Sequence, residues 1–247
     1  MARTKVSEEM TRLSGNLDPA YIQREGAAVD HLSEAATLKA APADITEPLL
    51  SAYGKSGASM DEMLSLSVRD VAEHIEIGSM KAEAYAARLL KQYAAHKDLN
   101  TVIFIDENRV LADARAIDQT RAKGDKLAPL TGVPVGVKDQ ADVAGYPTTA
   151  GNIALKDYIA KKSAWVVQQV VNNGAVVFAK LNCAAMIGQV LPRLNGATSS
   201  NPYFGFVRNP YDLTRIPGGS SGGSGAAVAA RIVPVAIGED CKSLNFI

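Results

Sequence analysis

The chain has 247 residues, is 47% hydrophobic, and carries 26 basic and 26 acidic residues that cancel. That is enough apolar material for a good core in one or two domains, and the balanced charge argues against nucleic acid or an acidic membrane as the main partner. Cys183 and Cys241 give no metal-ligand spacing and no support for a disulfide. The first residues lack the apolar core of a signal peptide, and no run is long enough to span a bilayer, so a reduced, cytoplasmic protein is expected, with neither metal nor cofactor.

Residues 1–60 are polar, alanine-bearing and weakly periodic, and read as a helical or partly disordered N-terminal extension preceding a domain over 61–247. Ser67 is an N-cap with Asp70 at the third helical position, and Val68, Val71, Ala72 and Ile75 give a helical face that Gly78 ends. Ser79 is expected to cap the next helix, which runs to about Ala95. Thr101 to Ile105 reads as a strand, and Asn108 begins a helix ending at Gly124. The short run Val133 to Val137, punctuated by Pro134 and Gly136, suits a buried strand, and it places Lys138 at the strand's end. Ser163 to Asn173 is helical with Gly174 as its stop; Ala175 to Ala179 and Ile232 to Ile237 are strands. Strands alternating with helices predict an α/β fold, a mixed β-sheet core flanked by helices.

The stretch Pro217 to Gly225 holds five glycines and three serines in nine residues, and the alanine-rich Ala226 to Ala230 follows at once. Such a segment has little to bury, so its backbone N–H groups and hydroxyls are its chemistry, with a helix N-terminus beside them to welcome negative charge. A phosphate-binding loop needs Lys-Ser/Thr after its last glycine, where Ala226 and Ala227 stand, and the dinucleotide fingerprint fails at Val228. Gly219-Ser220-Ser221-Gly222-Gly223 matches a nucleophile elbow, but His31, His74 and His96 all precede it, which excludes a triad in the order Ser, acid, His. Lysine remains as the base for a serine, with Lys138 the candidate. An anion-binding module without chemistry and a flexible Gly/Ser linker are the readings set against it.

Three segments then occur in order: Gly132-Val-Pro-Val-Gly-Val-Lys138-Asp139, Gly145-Tyr-Pro-Thr-Thr-Ala-Gly151, and Asn209-Pro-Tyr-Asp212 leading into Gly218-Gly-Ser-Ser-Gly-Gly-Ser224. Together, from about Leu66 to Asp240, they resemble the amidase signature family, serine hydrolases of carboxamides with a Ser–cisSer–Lys triad. The resemblance implies Lys138 as the base, kept neutral by burial, and Ser220 as the bridging serine after a cis Gly219–Ser220 bond. Gly218, Gly219, Ser221, Gly222 and Gly223 would shape the supporting loop. It implies no cofactor and a small-molecule amide as substrate, and it leaves a homo-oligomer open; the balanced charge and the lack of a spanning run are what point to no nucleic acid and no membrane. Lys180-Leu181-Asn182 is similar to the family's Lys-x-Asn, with Ala185 where an acidic residue is usual.

The nucleophile is where the sequence departs from that pattern. The family places it in Gly-Thr-Asp-x-Gly-Gly-Ser, just after the strand that Ile232 to Ile237 resembles. Gly238-Glu239-Asp240 begins the motif with Glu239 out of place; in register, Cys241, Lys242 and Ser243 follow and Leu244 falls on the serine position. Ser243 serves as nucleophile only with one residue deleted, so Cys241 to Ile247 reads as foreign to the motif and the chain as a C-terminally truncated member. The expectation is therefore split between a carboxamide hydrolase and an inactive fragment that acts as a binding or association module.

Overall fold

The computed structural model describes residues 62–184, 200–201 and 203–239. Residues 1–60, expected to form an N-terminal extension, and Ala185, Asp240, Cys241 and Ser243 lie outside the described residues.

After a short helix α1 (Glu62–Ser65), α2 (Val68–Glu76) starts where its capping box requires: Ser67 Oγ accepts from the Asp70 N–H at 3.2 Å, and the Asp70 carboxylate accepts from the Ser67 N–H at 3.0 Å. Val71 and Ile75, one turn apart, are its buried face, and Gly78 ends the segment at φ +78. Helix α3 (Ala82–Ala95) ends as expected but is not capped by Ser79. That hydroxyl is held by His74, 2.7 Å from its Nδ1, while the Asp118 carboxylate accepts from the N–H groups of Ala82 and Glu83 at 2.9 and 3.1 Å. A carboxylate brought from another helix thus satisfies the first turn of α3 and suits its dipole.

Strand β1 (Val102–Phe104) is followed by α4 (Glu107–Ala122), which Asp106 caps and which supplies Asp118. Then come β2 (Pro134–Lys138), α5 (Trp165–Asn172), β3 (Val176–Leu181), the small pair β4 (Ser200–Asn201) and β5 (Gly205–Phe206), α6 (Gly222–Ala229) and β6 (Val235–Ile237). The main sheet has four strands in the order β1-β3-β2-β6, with β2 parallel to both β3 and β6 and β1 antiparallel to β3. It is the expected mixed sheet flanked by helices. Every residue of β2 and β3 is buried, as parallel strands covered on both faces must be.

Apolar residues of α2, α3 and α4, with Phe178, Leu181, Ala227 and Ile232, form the larger core cluster; Val137, Val143, Tyr146, Val167 and Val177 form the smaller one. Between them the register sets Lys138 opposite Leu181, and Val137 opposite Ile237. The carboxyl ends of β3, β2 and β6 therefore come together, which is where open parallel sheets place their chemistry.

Candidate active site

Lys138 is the last residue of β2, and only 1% of it is exposed. Its Nζ donates to Ser220 Oγ at 2.6 Å and lies 3.1 Å from Glu239 Oε2. Ser220 is also buried, and the Gly219–Ser220 peptide bond is cis. The structure thus brings together two residues 82 positions apart in sequence.

The glycine-serine stretch is less of a loop than its composition suggests. Helix α6 begins at Gly222, ahead of the alanines, so Gly222 to Gly225 are its first turn. The segment is tied to the sheet at several points. Ser220 O accepts from the Ala184 N–H at 3.0 Å, and the Gly223 N–H donates to Asn182 O at 3.0 Å. Ser224 Oγ donates to Ile237 O at 3.1 Å, and Ser221 Oγ accepts from the Glu239 N–H at 3.1 Å while donating to Glu239 O at 3.2 Å. Ser221 thereby fixes the backbone of the residue whose carboxylate reaches Lys138. The Gly223 and Gly225 N–H groups are engaged by Asn182 O and Ser221 O.

A cavity of about 400 Å³ opens beside the pair, lined by Lys138, Gln140, Ala150, Val166, Ile237 and Glu239. Close by, Asp139 and Lys180, both with fully buried side chains, form an ion pair with 3.3 Å between Lys180 Nζ and Asp139 Oδ1. The other Asp139 oxygen accepts from the Thr149 N–H at 3.0 Å and the Thr149 hydroxyl at 2.5 Å; Lys180 also donates to Ala141 O at 2.6 Å and Thr148 Oγ1 at 2.8 Å. Thr148 and Thr149 of the Gly145–Gly151 turn thus help to hold the chain just after Lys138. Burial raises the Asp139 carboxyl above its ordinary range and lowers the Lys180 ammonium below its own, because each charge has left water.

Asn182, after β3, donates to Asn100 O at 3.0 Å and accepts from Asn201 Nδ2 at 2.7 Å. Asn201 Oδ1 in turn accepts from the N–H groups of Tyr203 and Phe204. These amides fasten the β4–β5 segment to the sheet, and Asn201 itself is buried. Among the described residues no group of three or more His, Cys, Asp or Glu is placed to hold a metal, and no helix is long and apolar enough to cross a membrane.

Cys183, also fully buried, has its thiol pushed up to about 12 by desolvation. At pH 8 its thiolate is then on the order of a thousandfold rarer than in the unfolded chain. Alkylation by iodoacetamide, followed at the Cys183 peptide by mass spectrometry, should be at least about a hundredfold slower in the native protein than in urea. Comparable rates would mean that the strand end opens readily.

The amidase family model matches residues 83–242, more than half of the chain. The chain belongs to the amidase family. A glutamyl-tRNA(Gln) amidotransferase subunit of Cupriavidus necator is 41% identical to this amidase-family chain over 174 residues, which are 70% of this chain and 33% of the relative. A solved structure from a vestigial protein complex, described in connection with the origins of an s-triazine catabolic enzyme, superposes with a TM-score of 0.66 at 36% identity, covering 71% of this chain and 37% of that one. A crystal structure of an amidase superposes with a TM-score of 0.63 at 32% identity, covering 70% and 38%. The chain spans about a third of the length of the curated relatives it matches.

Of the residues expected at an amidase site, Lys138, Ser220, Ser221 and the glycines 218, 219, 222 and 223 converge; Asp240 and Ser243 lie outside the described residues. Two features of the site go beyond what the motifs imply. The Asp139–Lys180 pair joins two motif residues, Asp139 just after β2 and Lys180 within the neighbouring parallel strand β3, and nothing in their spacing pairs them. Glu239 stands out in sequence as a departure from the motif, with nothing in its spacing to aim it at Lys138.

Proposed function

We propose that this chain carries the base and proton-relay part of an amide-hydrolysing site, one that cleaves a carboxamide C–N bond through a serine acyl-enzyme. The observation that supports it most is the 2.6 Å contact between a buried lysine amine and a buried serine hydroxyl at the carboxyl end of a central strand. A serine hydroxyl attacks a carbonyl well only as its proton leaves, and lysine serves as the acceptor when it presents a lone pair. In this reading the nucleophile, for which Ser243 is the candidate, gives its proton to Ser220 Oγ while Ser220 passes its own to Lys138 Nζ. On collapse of the tetrahedral intermediate the proton returns through Ser220 to the leaving nitrogen, and water then releases the acyl group. The cavity beside the pair suits a small-molecule amide.

A fluorophosphonate probe tests this reading. A covalent adduct is expected at Ser243, absent in Ser243→Ala and formed about a hundredfold more slowly in Lys138→Met and Ser220→Ala. Lack of any adduct, or an adduct that survives Ser243→Ala, would end it. The second reading, a chain that binds or associates without turnover, is favoured by relatives named as subunits of an amidotransferase. It predicts no adduct at all.

A further inference from the structure

The contact between Lys138 and Glu239 bears directly on the amine at the centre of the site. Glu239 Oε2 lies 3.1 Å from Nζ, and its backbone is gripped at both N–H and carbonyl by Ser221 Oγ. Glu239 and Lys138 line the cavity wall together. We propose that Glu239 is a positioning residue acting through Lys138: its carboxylate holds the amine as an ammonium and withholds the lone pair that proton transfer needs.

Two influences on Lys138 oppose each other. Burial disfavours a charged amine, whereas an opposite charge within hydrogen-bonding distance favours it. Of the other titratable groups around Lys138, Cys183 is a neutral thiol, and Asp139 is engaged by Lys180 and Thr149. Glu239 is the carboxylate bonded to the amine, and half of its side chain faces solvent, so removing its charge leaves the core untouched. The consequence for catalysis rests on Lys138 being the base of the proposed reaction; the state of the amine does not.

Cyanate reads that state without requiring turnover. The neutral amine attacks the carbon of isocyanic acid, a C–N bond forms, and the proton moves to the reagent's nitrogen, giving a carbamyl-lysine; an ammonium does not react. Carbamylation of Lys138 is followed by peptide mass spectrometry at pH 8, with the exposed Lys123 as internal standard. Relative to Lys123, modification of Lys138 should be about fivefold faster in Glu239→Gln and in Glu239→Ala than in the unaltered chain. Added salt should narrow the gap between the variants and the unaltered chain by screening the half-exposed carboxylate, which a merely structural role for Glu239 would not produce. Equal rates, a slower rate in either variant, or no modification of Lys138 in any of the three proteins would overturn the proposal. Failure of fluorophosphonate labelling would leave it standing, because that probe reports on the nucleophile and cyanate on the amine.

Discussion

Lys180→Met is expected to lower the stability of the domain by about 3–5 kcal/mol, the range for breaking a fully buried ion pair from one side. The methionine fills most of the lysine's volume, so the loss comes from electrostatics: Asp139 remains buried with only Thr149 to satisfy it, and Ala141 O and Thr148 Oγ1 lose their donor. Asp139→Asn should cost less, since an amide oxygen still accepts from Thr149. Removing both charges in Asp139→Asn/Lys180→Met should be milder than the sum of the singles by more than about 1 kcal/mol, because neither charge is then stranded. Urea unfolding of the four proteins measures this, and strictly additive losses would show that the pair does not act as a unit.

The pH dependence of that cycle has a definite sign. The raised Asp139 carboxyl contributes stability that is fully present below its ordinary value of 3.8 and is lost as pH rises through its folded value. The lowered Lys180 ammonium contributes stability that is present above its ordinary value of 10.5 and is lost as pH falls through its folded value. Between these limits both groups bear the cost of leaving water, which their mutual attraction offsets. Removing the pair should therefore flatten both limbs of the stability profile.

Gly223→Ala is the second large effect, an expected loss of about 3 kcal/mol, at the upper end for overpacking a rigid site. An added Cβ would lie 2.2 Å from Asn182 O and 2.7 Å from Asn182 N, both backbone atoms that cannot rotate aside. To relieve that contact the first turn of α6 must back away from β3. The Gly223 N–H bond to Asn182 would go with it, and so would the placement of Ser220 against Lys138. Gly225, two residues on and exposed, meets nothing within 4 Å of its added Cβ. Gly225→Ala should accordingly stabilise by about 0.5–1 kcal/mol, since alanine is the better helix residue. A thermal unfolding comparison in which both substitutions move the midpoint the same way would refute this account of why α6 opens on glycines.

Much of the fold is readable from the chain alone because the signals are local. Ser67 and Asp70 sit three apart and close their own capping box; β-branched runs mark β1, β2 and β3; Gly78, Gly124 and Gly174 end their elements with positive φ. The ordered motifs around Lys138 and Ser220 point to one site because a lysine can serve a serine when no histidine is available. Folding alone decides the contacts whose partners are remote in sequence. Asp118 reaches the start of α3 from 36 residues away, Lys180 finds Asp139, Asn182 receives Gly223, and Glu239 settles on Lys138. Each of these depends on the strand order β1-β3-β2-β6 and on the depth to which helices pack against it. A buried polar group must pair with whatever the packing sets beside it, and no spacing along the chain encodes that neighbour.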